Sequence, residues 1–211
     1  MEREGAGFVL KQARTELGAK IEDLCLLQTG GPFTLSTGME SSFYFDCKRA
    51  VLKGGVLCMI AEELLREANG LPETPTAVGG LSIGADFLVA AAIQRAAQRG
   101  HPMVNGCVVR KERKEHGTRN YIENEQPAGT KIMVVDDVFT TGRSTAFACE
   151  KLIEAENEIV GIVGLIDREQ GGVGYLQETF HVPVIGLFRS GDFPRLMEAN
   201  ERNSGTLVAT T

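Results

Sequence analysis

Short runs of apolar residues recur through the second part of the chain, and each has the length of a buried β-strand. They lie at residues 76–78, 103–109, 131–135, 159–166 and 184–188. Two intervening stretches, residues 85–98 and 144–156, carry apolar residues at helical spacing. Apolar strands that alternate with helices are typical of a parallel sheet covered on both faces. We therefore predict an α/β fold, in which a parallel sheet is flanked by helices and the crossovers are right-handed.

The pattern before residue 76 is less regular. Helical spacing predicts helices over residues 8–17, 21–28 and 56–67. Gly30, Gly31 and Pro32 are expected to break the chain, and residues 33–36 and 42–46 are predicted to form a pair of short strands. We therefore divide the chain into a small N-terminal α/β hood (1–70), an α/β core (71–195) and a polar C-terminal tail (196–211).

Composition narrows the class of protein. The 211 residues include 22 basic and 28 acidic side chains, a net charge of −6, which argues against a nucleic-acid partner. No apolar run approaches the ~18 residues of a membrane span, and the N-terminus lacks the pattern of a secretory signal. The five cysteines are widely spaced, without a Cys-x-x-Cys pair. We therefore expect reduced thiols, a cytoplasmic location and no membrane contact.

Candidate chemistry is densest at residues 131–145, KIMVVDDVFTTGRST. An apolar strand leads to Asp136 and Asp137, then to a short loop over residues 138–142 and a helix. Hydroxyls, a glycine and a helix N-terminus in such a loop favour a phosphate. The two carboxylates suit ribose hydroxyls or Mg²⁺. A simple helix cap is the structural alternative, and a Walker B strand is disfavoured because the sequence has no G-x-x-x-x-G-K-[ST] motif.

Three further segments follow predicted strands. Residues 77–86 (AVGGLSIGAD) offer a glycine-rich turn, residues 110–117 (RKERKEHG) begin a long cationic loop, and residues 165–172 (LIDREQGG) place Arg168 at a strand end. Each has a purely structural alternative: a common strand–helix turn, a solvated charged surface or a surface salt bridge. Because ligands of α/β sheets bind at the carboxyl ends of the strands, the four segments together predict a site for a sugar phosphate that carries a pyrophosphate.

Four motifs resemble one known family. Residues 134–145 (VVDDVFTTGRST) resemble the phosphoribosyl pyrophosphate (PRPP) signature of the type I phosphoribosyltransferases. Residues 110–117 resemble the R-K-E-x-K-x-H-G loop of its orotate phosphoribosyltransferase branch. Residues 33–38 with 41–46, and residues 167–172, are similar to the F-x-L-x-S-G…S-x-Y/F-F-D and D-R-x-x-G elements of that branch. The motifs occur in the family order and span residues from about 30 to about 190 of the chain.

The resemblance implies transfer of the phosphoribosyl group of PRPP to N1 of orotate, a step of pyrimidine biosynthesis that yields orotidine 5′-monophosphate and pyrophosphate. It implies a cytoplasmic homodimer in which the loop over residues 110–125 reaches the partner's site. It also implies Mg²⁺ as cofactor, carried by PRPP near Asp136 and Asp137 rather than by direct protein ligands.

The resemblance also implies residue roles. The catalytic set is Lys114, His116, Asp136 and Asp137. The PRPP-binding set adds to these Arg110, Lys111, Val138, Phe139, Thr140, Thr141, Gly142, Arg143, Ser144 and Thr145. The orotate-binding set is Tyr44, Phe45, Thr140 and Arg168.

The chain departs from the family pattern at two positions. Ser36 stands where the family often has lysine, and Ser82-Ile83-Gly84 stands where it often has Tyr-Lys-Gly. Two alternative functions stay open at this point. A purine phosphoribosyltransferase is disfavoured by the lysine-containing loop and by Arg168, which suits a carboxylated pyrimidine. A PRPP-sensing regulatory protein is disfavoured by the acidic charge and by the absence of an additional N-terminal domain.

Overall fold

The structure is a computed structural model that describes residues 2–34, 40–113 and 120–196. Its N-terminal elements are α1 (Glu2–Cys25), β1 (Leu26–Thr34), β2 (Glu40–Phe45), α2 (Lys48–Val51) and α3 (Gly54–Gly70). The following elements are β3 (Ala77–Leu81), α4 (Asp86–Arg99), β4 (Asn105–Val109), β5 (Ile122–Glu123), β6 (Lys131–Phe139), α5 (Arg143–Glu154), β7 (Glu158–Asp167), α6 (Gly172–Phe180) and β8 (Val184–Arg189), after which Ser190–Asp192 form a 3₁₀ turn.

Six strands form one sheet in the order β5-β4-β3-β6-β7-β8, and every neighbouring pair except β4–β5 is parallel. The predicted α/β class is confirmed. The predicted long loop between β4 and β6 contains one short strand, because β5 pairs antiparallel with β4 inside it. The chain runs from β3 to β4 on one side and then crosses to β6 on the other. The switch point of the sheet therefore lies between β3 and β6, where α/β proteins bind ligands.

The N-terminal elements differ from their prediction at residues 21–32. A second helix over residues 21–28 was wrong: α1 continues to Cys25, because Leu17, Ile21 and Cys25 form a buried stripe against the core. The Gly-Gly-Pro sequence at residues 30–32 was expected to interrupt the chain, but it lies within β1. The antiparallel pairing of β1 with β2 accommodates it through a register shift between Gln28 and Phe33.

Successive residues of β6 serve opposite faces of the sheet, as in any strand. Val135 belongs to a buried cluster built with α1, α3 and α4, whereas Val134 belongs to a cluster built with α5 and α6. Helices therefore cover both faces, as predicted. None of the helices within the described ranges is long and apolar enough to cross a membrane.

The end of β3 leaves no room for a side chain at Gly80. A Cβ built there would overlap the carbonyl oxygen of Val135 in β6 and the Cβ of Ala85, the residue before α4. Neither obstacle is the flexible end of a side chain, so the backbone would have to move. This close contact sets the spacing of β3 and β6 where the chain switches direction.

We therefore expect Gly80→Ala to lower the free energy of unfolding by about 2 kcal/mol, the usual cost of overpacking. The matched control is Gly174→Ala in α6, where a Cβ meets nothing within 4 Å and the helix gains about 0.5 kcal/mol. Urea denaturation of both variants measures the two effects. Equal unfolding midpoints for Gly80→Ala and the wild-type protein would contradict the packing argument.

Candidate functional site

The carboxyl edge of the six-stranded sheet encloses a cavity of about 640 Å³. Four strand ends meet there: those of β3, β4, β6 and β7. The lining side chains are Tyr44, Phe45, Lys48, Ser82, Ile83, Gly84, Arg110, Lys111, Glu112, Asp136, Asp137, Val138, Thr140, Ser144 and Arg168. The structure thus brings together the four segments that the sequence analysis singled out, and with them the aromatic residues of β2.

Asp136 and Asp137 lie near the carboxyl end of β6, as predicted. The strand continues to Phe139, so the first two residues of the predicted loop over residues 138–142 belong to the strand. The Oδ1 atom of Asp136 accepts the backbone N–H of Asp137 at 2.9 Å. Its Oδ2 atom accepts the hydroxyl of Thr145, in the first turn of α5, at 2.5 Å. Asp136 is only 6% exposed, and these bonds fix its carboxylate at the floor of the cavity.

Burial dominates the electrostatics of this pair. It raises the pKa of Asp136 to about 7, and the charge of Asp137 adds to the rise, although the hydrogen bond from Thr145 opposes it. Burial also raises the pKa of Asp137, which the nearby charge of Lys48 partly lowers. In the free protein, hydrogen bonds and the charge of Lys48 therefore do not fully offset the cost of burying the two ionised carboxylates. A ligand that brings hydroxyl donors and positive charge stabilises those forms.

The turn after β6 forms an anion-binding geometry. Gly142 has a φ of 76° and precedes α5, so the backbone N–H groups of the first turn of that helix point towards the turn. The N–H of Gly172 donates to the carbonyl of Thr140 at 3.1 Å, which attaches the turn to the start of α6. The side chains of Thr140 and Ser144 line the cavity at this end.

Not every residue of the predicted 138–145 set faces the cavity with its side chain. Phe139 is fully buried in the core beside Gly164, since a Cβ on that glycine would lie 2.5 Å from its ring. Thr145 acts through Asp136, as described above. Thr141, Gly142 and Arg143 are not among the lining residues. Because its side chain packs in the core, residue 139 can contact a ligand only through its backbone.

The predicted cationic loop starts and ends at the rim of the cavity. The N–H of Arg110 donates to the carbonyl of Tyr121 at 2.8 Å, and its guanidinium contacts Glu123 at 3.2 Å. Arg110 and Lys111 line the cavity, whereas Arg113 lies over the Tyr121 ring at 5.2 Å. Lys114 and His116 lie outside the described residues.

Another part of the cavity wall combines aromatic rings with a buried cation. The guanidinium of Arg168 lies over the ring of Phe43, 4.5 Å from its centroid, and Tyr44 and Phe45 line the cavity beside it. Arg168 is 5% exposed, and burial lowers its pKa from the ordinary arginine value, while Tyr44 raises it. A buried guanidinium beside aromatic rings suits a planar, anionic ligand.

The sequence analysis assigned no ligand contact to Lys48 or Glu112, nor to residues 82–84, all of which line the wall. Residues 82–84 carried a visible signal, the glycine-rich turn after a strand. Lys48 gave no such sequence signal. It is followed directly by Arg49, and only the packing of α2 shows which of the two cations faces the cavity.

Among the described residues, no group of three or more His, Cys, Asp or Glu side chains could hold a metal ion. The donor set here is two adjacent carboxylates with raised pKa values. It fits a Mg²⁺ that is held by a bound phosphorylated sugar and by water and lies near the two carboxylates.

Burial of Asp136 should make the free energy of unfolding depend on pH. Between about pH 4, near the pKa of an unfolded aspartate, and about pH 7, the native Asp136 keeps a proton that the unfolded chain releases. This group therefore costs stability as pH rises through that window. We expect Asp136→Asn to raise the free energy of unfolding at pH 8 by about 1–2 kcal/mol, and by less at pH 5.

Urea denaturation at both pH values measures the effect, with Asp23→Asn, an exposed carboxyl in α1, as the control that changes little. A gain for Asp136→Asn that is equal at the two pH values would refute this assignment.

Comparison with known proteins adds independent evidence. No protein-family model matches the sequence. The orotate phosphoribosyltransferase of Synechocystis sp. is 38% identical over 170 residues, which are 79% of this chain and 82% of that protein. The orotate phosphoribosyltransferase of Corynebacterium glutamicum is 41% identical over 160 residues, 76% of this chain and 83% of that protein.

A solved structure agrees with both. The orotate phosphoribosyltransferase of Mycobacterium tuberculosis H37Rv in complex with PRPP superposes with a TM-score of 0.68 at 28% identity, covering 86% of this chain and 98% of that chain. The resemblance inferred from the motifs is confirmed, and the chain belongs to the orotate phosphoribosyltransferase family.

Proposed function

We infer that this chain transfers the phosphoribosyl group of PRPP to N1 of orotate and releases pyrophosphate. One observation carries the inference: a single cavity is lined by a carboxylate pair, by an anion-binding turn and by Arg168, whose guanidinium lies over an aromatic ring. The relatives of 38% and 41% identity that bear the name orotate phosphoribosyltransferase support it.

The end of β6 holds the sugar phosphate. Asp136 and Asp137 accept hydrogen bonds from the ribose hydroxyls, and the turn before α5 donates to the 5′-phosphate through its N–H groups, Thr140 and Ser144. Asp136 and Asp137 would accept a Mg²⁺ carried by PRPP, which would supply positive charge to the pyrophosphate and to the two buried carboxylates.

The aromatic part of the cavity wall holds the base. Arg168 binds the carboxylate of orotate, Tyr44 and Phe45 contact the ring, and Thr140 reaches it from the phosphate side. Because Arg168 already lies over Phe43, its guanidinium is oriented before the ligand arrives. Such preorganisation lowers the entropic cost of binding.

In the reaction, the bond from C1 of the ribose to the pyrophosphate breaks while N1 of orotate approaches from the opposite face. Positive charge grows on the sugar and negative charge grows on the pyrophosphate. Arg110, Lys111, Lys114 and His116 stabilise the pyrophosphate where its charge develops. Closure of the loop over residues 110–125 excludes water, which would otherwise hydrolyse PRPP. Orotate bound as its anion needs no general base.

We further propose a homodimer in which this loop reaches the partner's site, and a reducing cytoplasmic compartment. The five free cysteines support the second proposal. Sedimentation of the purified protein tests the first.

Purine bases are the alternative acceptors, and a direct assay separates them. Orotate absorbance should fall on addition of PRPP and Mg²⁺. Adenine, hypoxanthine and guanine should give no pyrophosphate release under the same conditions. PRPP binding without pyrophosphate release from any base would instead indicate a sensor.

Lys114→Ala should lower kcat by at least about 100-fold, since it removes charge stabilisation that is needed only in the transition state. The matched control is Arg113→Ala, because Arg113 lies over Tyr121 and not against the cavity. Steady-state assays with both variants measure the difference. A Lys114→Ala enzyme with wild-type turnover would remove the loop from the mechanism.

Arg168→Gln should raise the KM for orotate by about tenfold or more and change the KM for PRPP little, because a charged hydrogen bond to the base is lost. Arg189→Gln is the matched control. Arg189 stands at the end of β8, as Arg168 stands directly after β7, but Arg189 is exposed and does not line the cavity. Thermal melting confirms that both variants fold. An unchanged orotate KM in folded Arg168→Gln would exclude the assigned role.

A further inference from the structure

Lys48 is a cation of the cavity wall to which the reaction above assigns no role. It is the first residue of α2 and lines the cavity together with residues 82–84, Asp136 and Asp137. The other cations of the described wall follow strands of the six-stranded sheet, Arg110 and Lys111 after β4 and Arg168 after β7. Lys48 reaches the cavity from the N-terminal segment.

Packing holds Lys48 in place. The thiol of Cys47 contacts the carbonyl oxygen of Asp137 at 3.8 Å, and the preceding residue, Asp46, donates its N–H to the carbonyl of Cys25 at 2.9 Å. On the other side, Ala50 and Val51 are buried in the core. The start of α2 is therefore fixed against the end of β6, and Lys48 is presented to the cavity.

The turn after β3 lies against the same carboxylates. A Cβ built on Gly84 would be 2.7 Å from Oδ1 of Asp137 and 3.1 Å from Oδ1 of Asp136. The turn itself brings no positive charge: Ile83 is 59% exposed, and the hydroxyl of Ser82 donates to Asp86 at 3.0 Å. An anion over this turn would meet the negative charge of Asp137 with no cation from the turn to offset it.

Lys48 supplies that missing charge. Its effect on Asp137 places its ammonium within electrostatic reach of the pair, since its charge partly offsets the rise that burial causes in the pKa of this carboxyl. An ammonium group on a flexible stem can also contact a phosphate oxygen without the fixed geometry that a guanidinium requires.

We propose that Lys48 is a substrate-binding residue whose ammonium group binds the pyrophosphate group of PRPP over the turn at residues 82–84. This proposal rests on the proposed function and extends it. As the bond to C1 breaks, negative charge develops on the departing pyrophosphate, and Lys48 stabilises that charge together with the loop cations. In this pyrophosphate subsite the turn contributes the uncharged Ile83, and the positive charge comes from Lys48 of α2.

The test uses Lys48→Gln, the conservative Lys48→Arg and the matched control Arg49→Gln. Arg49 is the next residue of α2, is exposed and does not line the cavity. Isothermal titration with Mg²⁺-pyrophosphate and with Mg²⁺-PRPP measures binding directly. Steady-state kinetics give the KM values for PRPP and orotate separately, and thermal melting shows that each variant is folded.

We expect Lys48→Gln to weaken binding of pyrophosphate and PRPP, and to raise the KM for PRPP, by about tenfold to a hundredfold, the range of a charged hydrogen bond. The KM for orotate should stay within about twofold, Lys48→Arg should recover most of the loss, and Arg49→Gln should match the wild-type protein. Pyrophosphate and PRPP affinities of Lys48→Gln within about twofold of the wild type would overturn the proposal, as would an equal loss in Arg49→Gln.

A pH series separates binding from an indirect effect on Asp137. Among the described residues, the ionisable groups that interact with this carboxyl are Asp136 on the same strand, the Cys47 thiol and Lys48 at the start of α2. Raising the pH favours the ionised form of Asp137 whether or not Lys48 is present. The loss in Lys48→Gln should persist as the pH rises, and recovery at high pH would show that Lys48 acts only by favouring the ionised form of Asp137.

The titrations also keep this proposal distinct from the proposed function. A wild-type protein that binds PRPP but does not consume orotate would refute orotate transfer, while the comparison of Lys48→Gln with the wild type would still decide the role of Lys48.

Discussion

Burial of two consecutive carboxylates at the end of a central strand is the constraint on which the site depends. Because side chains alternate along a strand, Asp136 faces α5, where Thr145 meets it, and Asp137 faces the N-terminal elements, where Cys47 and Lys48 lie. Each acid therefore depends on a different layer of the protein. Their ionised forms are costly in the free protein, and a ligand that carries hydroxyl groups and a metal ion removes that cost.

The same alternation of side chains anchors β6 to hydrophobic clusters on both faces of the sheet. Val134 and Val135 precede the acids and belong to two separate hydrophobic clusters, one built with α5 and α6 and the other with α1, α3 and α4. Both clusters keep β6 rigid, so neither carboxylate can relax far towards solvent. A stable core on both faces is thus what allows a costly pair of charges to persist at the switch point of the sheet.

Features of the fold that produce a local sequence pattern could be predicted, and features that depend on tertiary packing could not. The strand runs predicted the parallel sheet and the strand ends predicted most of the cavity, because apolar runs and turn residues are local signals. The end of β6 was placed too early, since Phe139 fits only because Gly164 stands on the neighbouring strand. The helix α6 was missed because it opens with Gly172 and Gly174, which weaken helix propensity, whereas its packing through Leu176 is a tertiary effect.

The residues of the candidate site also divide into those that a local sequence pattern predicts and those that only tertiary packing places. Arg168 and Asp136 could be predicted because each stands at or next to the carboxyl end of an apolar strand, and the geometry of the sheet does the rest. Lys48 could not, because α2 has only four residues and its orientation depends on Cys47, Ala50 and Val51 packing into the protein. Residues placed by the sheet can be read from the strand pattern. Tyr44 and Phe45 on β2 were named only through the family resemblance, and Lys48 required the folded structure. The N-terminal elements thus supply two kinds of cavity residue, aromatic rings from β2 and a cation from α2.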